Sequence, residues 1–225
     1  MQDSPPMLLF VGQVATSMKG REAFQELDYR AVFGTMAKWA VEIDDVILAN
    51  GAGNFTIWPN KFFKYGLNAR LLAPQSGAMG YGIPAAIAAK VAHPGRTVVC
   101  FAGNGDFQMN YQELGTAMQA GTQPIILILN NGIYGTIRAR QERNYPARVC
   151  GTTLVNPAFV QLAQSYGFHA ERVTATADFA AAFERALQSK SGAVLELVIS
   201  PEAITPRQTL TQKRDAALAS KGVPA

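Results

Sequence analysis

Two apolar runs, each ending in a glycine turn, constrain this chain more than any other feature. Thr97-Val98-Val99-Cys100-Phe101-Ala102 leads into Gly103-Asn104-Gly105-Asp106-Phe107, and Ile125-Ile126-Leu127-Ile128-Leu129 leads into Asn130-Asn131-Gly132. Runs with no polar alternation must be covered on both faces, as in parallel strands wrapped by helices. A strand that ends in a tight turn puts that turn at the carboxyl edge of its sheet, where open α/β folds hold their ligands.

The rest of the chain fits that class. Val46-Ile47-Leu48-Ala49-Asn50 reads as a strand closing on Gly51-Ala52-Gly53-Asn54. Pro74 to Pro84 is a glycine-rich approach to an alanine-rich helix that reaches Val91 and stops at His93-Pro94-Gly95. A helix is predicted from Tyr111 to Ala120, stopped by Gly121, and another from Asn156-Pro157 to Tyr166, with Asn156 as its N-cap. His169–Val173 reads as a strand, Ala177–Ser189 as a helix, and Ala193–Ile199 as a strand that is apolar except for Glu196. Met7–Val14 reads as a strand and Tyr29–Val41 as a helix, and the residues from Pro201 on as a peripheral helix or tail. Strand and helix alternate, which predicts an α/β fold: an open, mainly parallel sheet with helices on both faces.

Composition excludes several function classes. The net charge of +4 is carried by scattered bases, and the densest group (Arg138, Arg140, Arg143, Arg148) reads as a solvated face, so no nucleic-acid partner is expected. The apolar runs are too short to cross a bilayer, and Asp3, Pro5 and Pro6 do not suit a signal peptide, so a soluble cytoplasmic protein is expected. Of the two cysteines, Cys100 sits within an apolar strand and reads as a buried thiol. His93 and His169 have no cysteine or histidine partners at metal-ligand spacing, and no Ser-His-Asp order stands out.

The glycine turns carry the chemistry. Without a Cβ, backbone N–H groups can approach an anion closely, and a following helix start adds a favourable dipole. Mg²⁺ takes oxygen ligands, some of them from phosphates, and Asn131 with a nearby carbonyl offers two. No G-x-G-x-x-G follows the first strand, which argues against a dinucleotide site.

The order Gly-Ala-Gly-Asn, Ser-Gly-Ala-Met-Gly, then Gly-x-Gly followed at this distance by Asn-Asn resembles the diphosphate-binding domain of thiamine diphosphate enzymes, in particular the acetolactate synthase-like group. The resemblance implies that residues 46–200 bind thiamine diphosphate and Mg²⁺, with 201–225 a C-terminal helix or tail. The metal ligands it implies are Asn104, Asn131 and the carbonyl of Ile133. Diphosphate contacts would come from Gly53, Asn54, Gly105 and Asp106. Met79 would hold the cofactor in its bent shape, and the Gly77 carbonyl would receive its amino group.

Val11-Gly12-Gln13-Val14 and Asp28-Tyr29-Arg30-Ala31-Val32-Phe33 resemble the later part of the family's pyrimidine-binding domain, so residues 1–45 read as a fragment of it. The family's central domain is absent between Asp45 and Val46. No residue matches the glutamate that activates the cofactor, so no catalytic residue is assigned and the chain is expected to be incomplete. By resemblance, the full protein would act on a 2-oxo acid, joining decarboxylation to carboligation as a transferase or lyase, in a homodimer or homotetramer. Ile137 stands where pyruvate decarboxylases carry a glutamate, which favours carboligation. A non-catalytic cofactor-binding remnant, or an interaction subunit, is the alternative.

Asn104 departs from the family's aspartate. A full charge is worth about 4 kcal/mol at 4 Å with an effective dielectric of 20, so weakened metal binding is expected unless Asp106 compensates. Asn104-Gly105 is also a deamidation-prone dipeptide, which would regenerate an aspartate.

Overall fold

A computed structural model of the chain describes residues 45–221, apart from Lys64, Gly66 and Leu67. The strand expected over Met7–Val14 and the helix over Tyr29–Val41 lie outside the described residues. Six strands form one sheet: β1 Ile47–Asn50, β2 Arg70–Leu72, β3 Val98–Gly103, β4 Ile125–Asn130, β5 His169–Val173 and β6 Ala193–Val198. Their order is β2-β1-β3-β4-β6-β5, and every pairing is parallel. The chain moves from β1 to β2 on one side and then returns past β1 to β3 on the other. That reversal makes the β1/β3 boundary a topological switch point, and it opens a crevice at the carboxyl ends of the two strands.

Strand alternation divides the core in two. Ile47, Ala49, Val98, Cys100, Ala102, Ile126 and Ile128 face one side. There they meet α2 (Gly82–Ala92), α3 (Asn104–Asn110), α4 (Glu113–Gln119) and α6 (Phe159–Ser165). Val46, Leu48, Val99, Phe101, Ile125 and Leu127 face the other, against Phe55 and against Ala182, Phe183 and Ala186 of α7 (Thr176–Gln188). The architecture is thus the expected α/β sheet with helices on both faces. Close packing of α2 rests on its small residues: a Cβ on Gly82 would lie 2.8 Å from the Gly51 nitrogen.

The differences from the expected elements have local causes. The helix expected over Tyr111–Ala120 is α4, Glu113–Gln119, and an additional short helix, α3, precedes it, beginning at Asn104 directly after the extended Gly103. Gly121 does end α4, at φ +64, with the Thr122 N–H reaching back to the Ala117 carbonyl at 3.0 Å. Helix α6 begins at Phe159 rather than at Asn156-Pro157, since the Asn156 amide is engaged elsewhere. The short edge strand β2 and the turn of helix α1 (Ile57–Phe62) had no signal in the apolar pattern. Of the arginine-rich group, Arg138, Arg140 and Arg143 lie on α5 (Gly135–Asn144) and Arg148 follows it, and α8 (Leu210–Ser220) packs on α5. Thr209 opens α8 with a capping box, accepting from the Gln212 N–H at 3.1 Å while the Gln212 side chain accepts from its own at 2.9 Å.

Phe107 joins site to core. Fully buried on the first turn of α3, it meets Phe159 edge-to-face with ring centroids 5.4 Å apart. Phe107→Ala should cost about 3–5 kcal/mol, the scale of a deleted core aromatic, read as a lowered midpoint in urea unfolding. A loss below ~1 kcal/mol would mean that the core collapses around the gap.

Candidate functional site

The crevice is assembled by one buried carboxylate. Asp106 lies in the first turn of α3, and its Oδ1 accepts from the backbone N–H of Gly80 at 2.8 Å and of Ala52 at 3.3 Å. Three turns separated widely in sequence are thereby tied together. The fit is close enough to demand glycine at 51, where a Cβ would lie 2.0 Å from Asp106 Oδ1. The Phe55 ring is wedged beside the same turns: a Cβ would approach it to 2.5 Å from Gly53 and to 2.9 Å from Gly103.

A cavity opens above this clasp. Gly53, Asn54, Met79, Gly105 and Asp106 line it, as do Asn104, Asn131 and Ile133. The structure therefore brings together all but one of the residues singled out in the sequence. Gly77 does not line the cavity; it sits in an exposed turn at φ +69, two residues before Met79. Trp58, Tyr134 and Ile137 complete the apolar wall, and of these only Ile137 was flagged by sequence. The Tyr134 ring covers Gly105, where a Cβ would come within 2.4 Å of it. Asn54 is fixed by three contacts. Its N–H donates to Thr136 Oγ1 at 2.9 Å, its Nδ2 to the Ile204 carbonyl at 3.1 Å, and its Oδ1 accepts from the Thr136 hydroxyl at 3.5 Å.

The turn after β4 is braced from outside. Tyr134 N–H donates to the Thr152 carbonyl at 2.9 Å and Leu154 N–H to the Gly132 carbonyl at 2.8 Å, around a bridge between Ile133 and Thr153. Within the turn, Asn131 Oδ1 accepts from the Ile133 N–H at 3.2 Å. Asn104 is 2% exposed, and its Nδ2 points to Asn156 Oδ1 at 3.4 Å. No donor among the described residues reaches Asn104 Oδ1, which leaves an amide oxygen at the cavity wall.

These donors fit a divalent cation in kind, since amide and carbonyl oxygens suit Mg²⁺, but all three are neutral. Asp106 is not one of these ligands, because its Oδ1 is held by the backbone N–H groups of Ala52 and Gly80 and its charge acts only through space. Among the described residues no group of three histidine, cysteine, aspartate or glutamate side chains is placed to hold a metal. A cation here needs its negative charge from the ligand, which suits a diphosphate.

The family model for the thiamine pyrophosphate enzyme C-terminal TPP binding domain matches residues 51–197. The chain belongs to the thiamine pyrophosphate enzymes through that domain. It is 37% identical over 158 residues to an acetolactate synthase of Arthrospira platensis, covering 69% of this chain and 27% of the relative. Identity is 33% over 157 residues to the isozyme 2 large subunit of acetolactate synthase from Escherichia coli K12, covering 69% and 29%. For the chloroplastic acetolactate synthase 1 of Oryza sativa subsp. japonica it is 32% over 164 residues, covering 69% and 26%. The chain thus spans little more than a quarter of the length of these relatives. No helix among the described residues is long and apolar enough to cross a membrane.

Burial pushes the Asp106 carboxyl up from 3.8 to about 6, against the pull of its two backbone hydrogen bonds. Burial and the nearby Asp106 charge also push the Cys100 thiol up, so it stays protonated and inert. Because the folded chain holds the Asp106 proton more tightly than the unfolded chain, the stability gained is complete below the unfolded pKa of 3.8 and is lost as pH rises through about 6. At ~1.4 kcal/mol per pKa unit the loss is about 3 kcal/mol. Asp106→Asn keeps an acceptor for the Gly80 N–H but has no such proton. In ligand-free urea unfolding from pH 3 to 7, the native chain should therefore lose about 3 kcal/mol relative to the variant, and parallel curves would contradict this.

The expected deamidation at Asn104 is disfavoured by the geometry. Asn104 is buried and helical, which turns its side-chain carbon away from the Gly105 nitrogen that would have to attack it. Intact mass and peptide mapping of aged folded protein should find Asn104 still an amide, while the unfolded chain converts.

Proposed function

We propose that this chain binds thiamine diphosphate together with Mg²⁺ and forms the cofactor-holding part of an acetolactate synthase-like enzyme acting on 2-oxo acids. The observation that carries the reading is the convergence of three glycine turns on one cavity at the β1/β3 switch point, with Asn104 and Asn131 on its wall. The turns at Gly53-Asn54 and Gly105-Asp106 receive the diphosphate. Asn104, Asn131 and the Ile133 carbonyl hold Mg²⁺, with the diphosphate supplying the negative charge that these ligands lack. Bound there, the cofactor supplies the electron sink for loss of CO₂ from a 2-oxo acid, and the metal neutralises the diphosphate.

The chain's own residues bind, shape and shield. Met79 stands at the cavity wall one residue from the Gly80 N–H that Asp106 holds, so the apolar support for the bent cofactor is anchored to the diphosphate turn. Ile137, 48% exposed on α5, presents a hydrocarbon side chain where a proton donor would favour simple decarboxylation. That supports passage of the remaining unit to an acceptor molecule. In this reading the protein is a cytoplasmic homodimer or homotetramer with its cofactor between subunits. Residues 46–200 are the cofactor domain in this reading, and 1–45 belong to a pyrimidine-side domain.

A second reading has one observation in its favour. Asp106 is the one carboxylate among the described residues lining the cavity, and it is fastened to backbone N–H groups, so no described acid is free to activate a cofactor. A chain that binds cofactor without turnover fits that arrangement.

Calorimetric titration with thiamine diphosphate, with and without Mg²⁺, tests the proposal, and a pyruvate turnover assay separates its two forms. Metal-assisted binding is expected, and Asn131→Ala should weaken the metal by about tenfold or more, the scale of a lost polar ligand. Absence of cofactor binding would overturn the reading. Binding without turnover would favour the second.

A further inference from the structure

An asparagine standing in for an aspartate at a metal site carries a risk that the acid does not. A carboxylate presents oxygen whichever way it turns, whereas an amide turned over presents an NH₂ group, which repels a cation. Something must decide which end of Asn104 faces the cavity.

The structure contains a chain of groups able to do so. Glu196 is 5% exposed in the middle of β6, and its Oε1 accepts from Asn130 Nδ2 at 2.7 Å. The Glu196 oxygen is the acceptor of that bond, so Asn130 presents its NH₂ group there. At the other end of the same amide, Asn130 Oδ1 accepts from the Gly132 N–H at 3.1 Å and from Asn156 Nδ2 at 2.9 Å. The Gly132 N–H can only donate, so the polarity of Asn130 is set from both ends. With its NH₂ on Asn130, Asn156 turns its oxygen the opposite way. That oxygen accepts from Gln108 Nε2 at 3.0 Å, and from Asn104 Nδ2 at 3.4 Å. Gln108 is itself fixed as a donor, because the same NH₂ group reaches the Asn104 backbone carbonyl at 3.3 Å. Every amide in the series has one orientation that satisfies its neighbours, and the series ends with the Asn104 NH₂ drawn away from Asn104 Oδ1.

We propose that Glu196, Asn130 and Asn156 form an orientational relay whose function is to hold the Asn104 amide with its oxygen toward the metal position. They are positioning residues that act through Asn104. The inference rests on the Mg²⁺ role proposed for Asn104. It accounts for how a neutral ligand can serve where the family carries an acid, and it makes an unusual demand. The relay should matter to an amide at position 104 and not to a carboxylate.

The test crosses Asn156→Leu, which keeps the heavy-atom count and branching without the polarity, with Asn104→Asp. Mg²⁺ affinity is read by calorimetry on the full chain at saturating thiamine diphosphate, and thermal unfolding of each variant monitors the fold. In the native background Asn156→Leu should weaken Mg²⁺ by up to about tenfold, the scale of one hydrogen bond. In the Asn104→Asp background it should leave affinity unchanged or raise it, because the Asn156 oxygen there faces a carboxylate. Equal losses in both backgrounds would reveal a merely structural role and overturn the relay, as would no loss in either. If the leucine variant does not fold, Asn156→Ser serves, since a hydroxyl both donates and accepts and enforces no polarity. A native chain that binds thiamine diphosphate without metal but takes no Mg²⁺ would also overturn the relay, while leaving the cofactor reading intact. Failure to bind thiamine diphosphate at all would be the failure of that broader reading.

Discussion

The architecture around the cavity depends on one carboxylate oxygen. Asp106 Oδ1 joins the turn after β1, the turn before α2 and the start of α3 by hydrogen bonds to Ala52 and Gly80. The requirement for glycine at 51 follows from its position, as does the placement of Met79 at the cavity wall. Burying an acid disfavours its charged form, and that burial is what raises the Asp106 carboxyl pKa. The arrangement is tolerable because the groups it meets are N–H donors that have no other described partner at the crevice. Stability is given up locally so that backbone donors from separate turns stay in register with each other.

This also explains why the cavity carries so little fixed negative charge. Its acid is committed inward, and its outward donors are amides and a carbonyl. Such a wall is suited to a ligand that arrives with its own anion. It discriminates against a bare cation without needing any further device, since neutral oxygens alone bind Mg²⁺ weakly. Metal and diphosphate would therefore depend on each other for affinity, which is a thermodynamic coupling between two ligands that share one wall.

How much of this was legible beforehand follows from what each feature leaves in a sequence. The strands β1, β3 and β4 announce themselves through apolar runs, β6 through a run broken by one acid, and the turns through glycine, so sheet class and cavity position could be read directly. Edge strand β2 is short and only partly buried, and it carries no such run. The roles of Asn130, Asn156 and Gln108 could not be read, because they depend on which carboxamides meet across the fold and on how their ends are arranged. A trace was nevertheless present. Glu196 interrupts an otherwise apolar strand, and a lone acid in such a run must find a buried donor. Asn156 illustrates the opposite case: its local context favours an N-cap, but a tertiary partner claims the side chain and the helix starts later.

The position of β6 has a consequence for the order of assembly. It lies between β4 and β5, although it follows both in the chain, so β5, whose one sheet partner is β6, has no place in the sheet until β6 has joined β4. Parallel pairings across such separations form slowly, because long loops close before the contacts that reward them. During synthesis, the glycine turns can therefore be brought together by the earlier strands while the carboxamides beside them remain free to rotate. Only when the last strand enters, bringing Glu196 to Asn130, does the amide series acquire a direction. The order of its polar groups is a property that the nascent chain gains at the end.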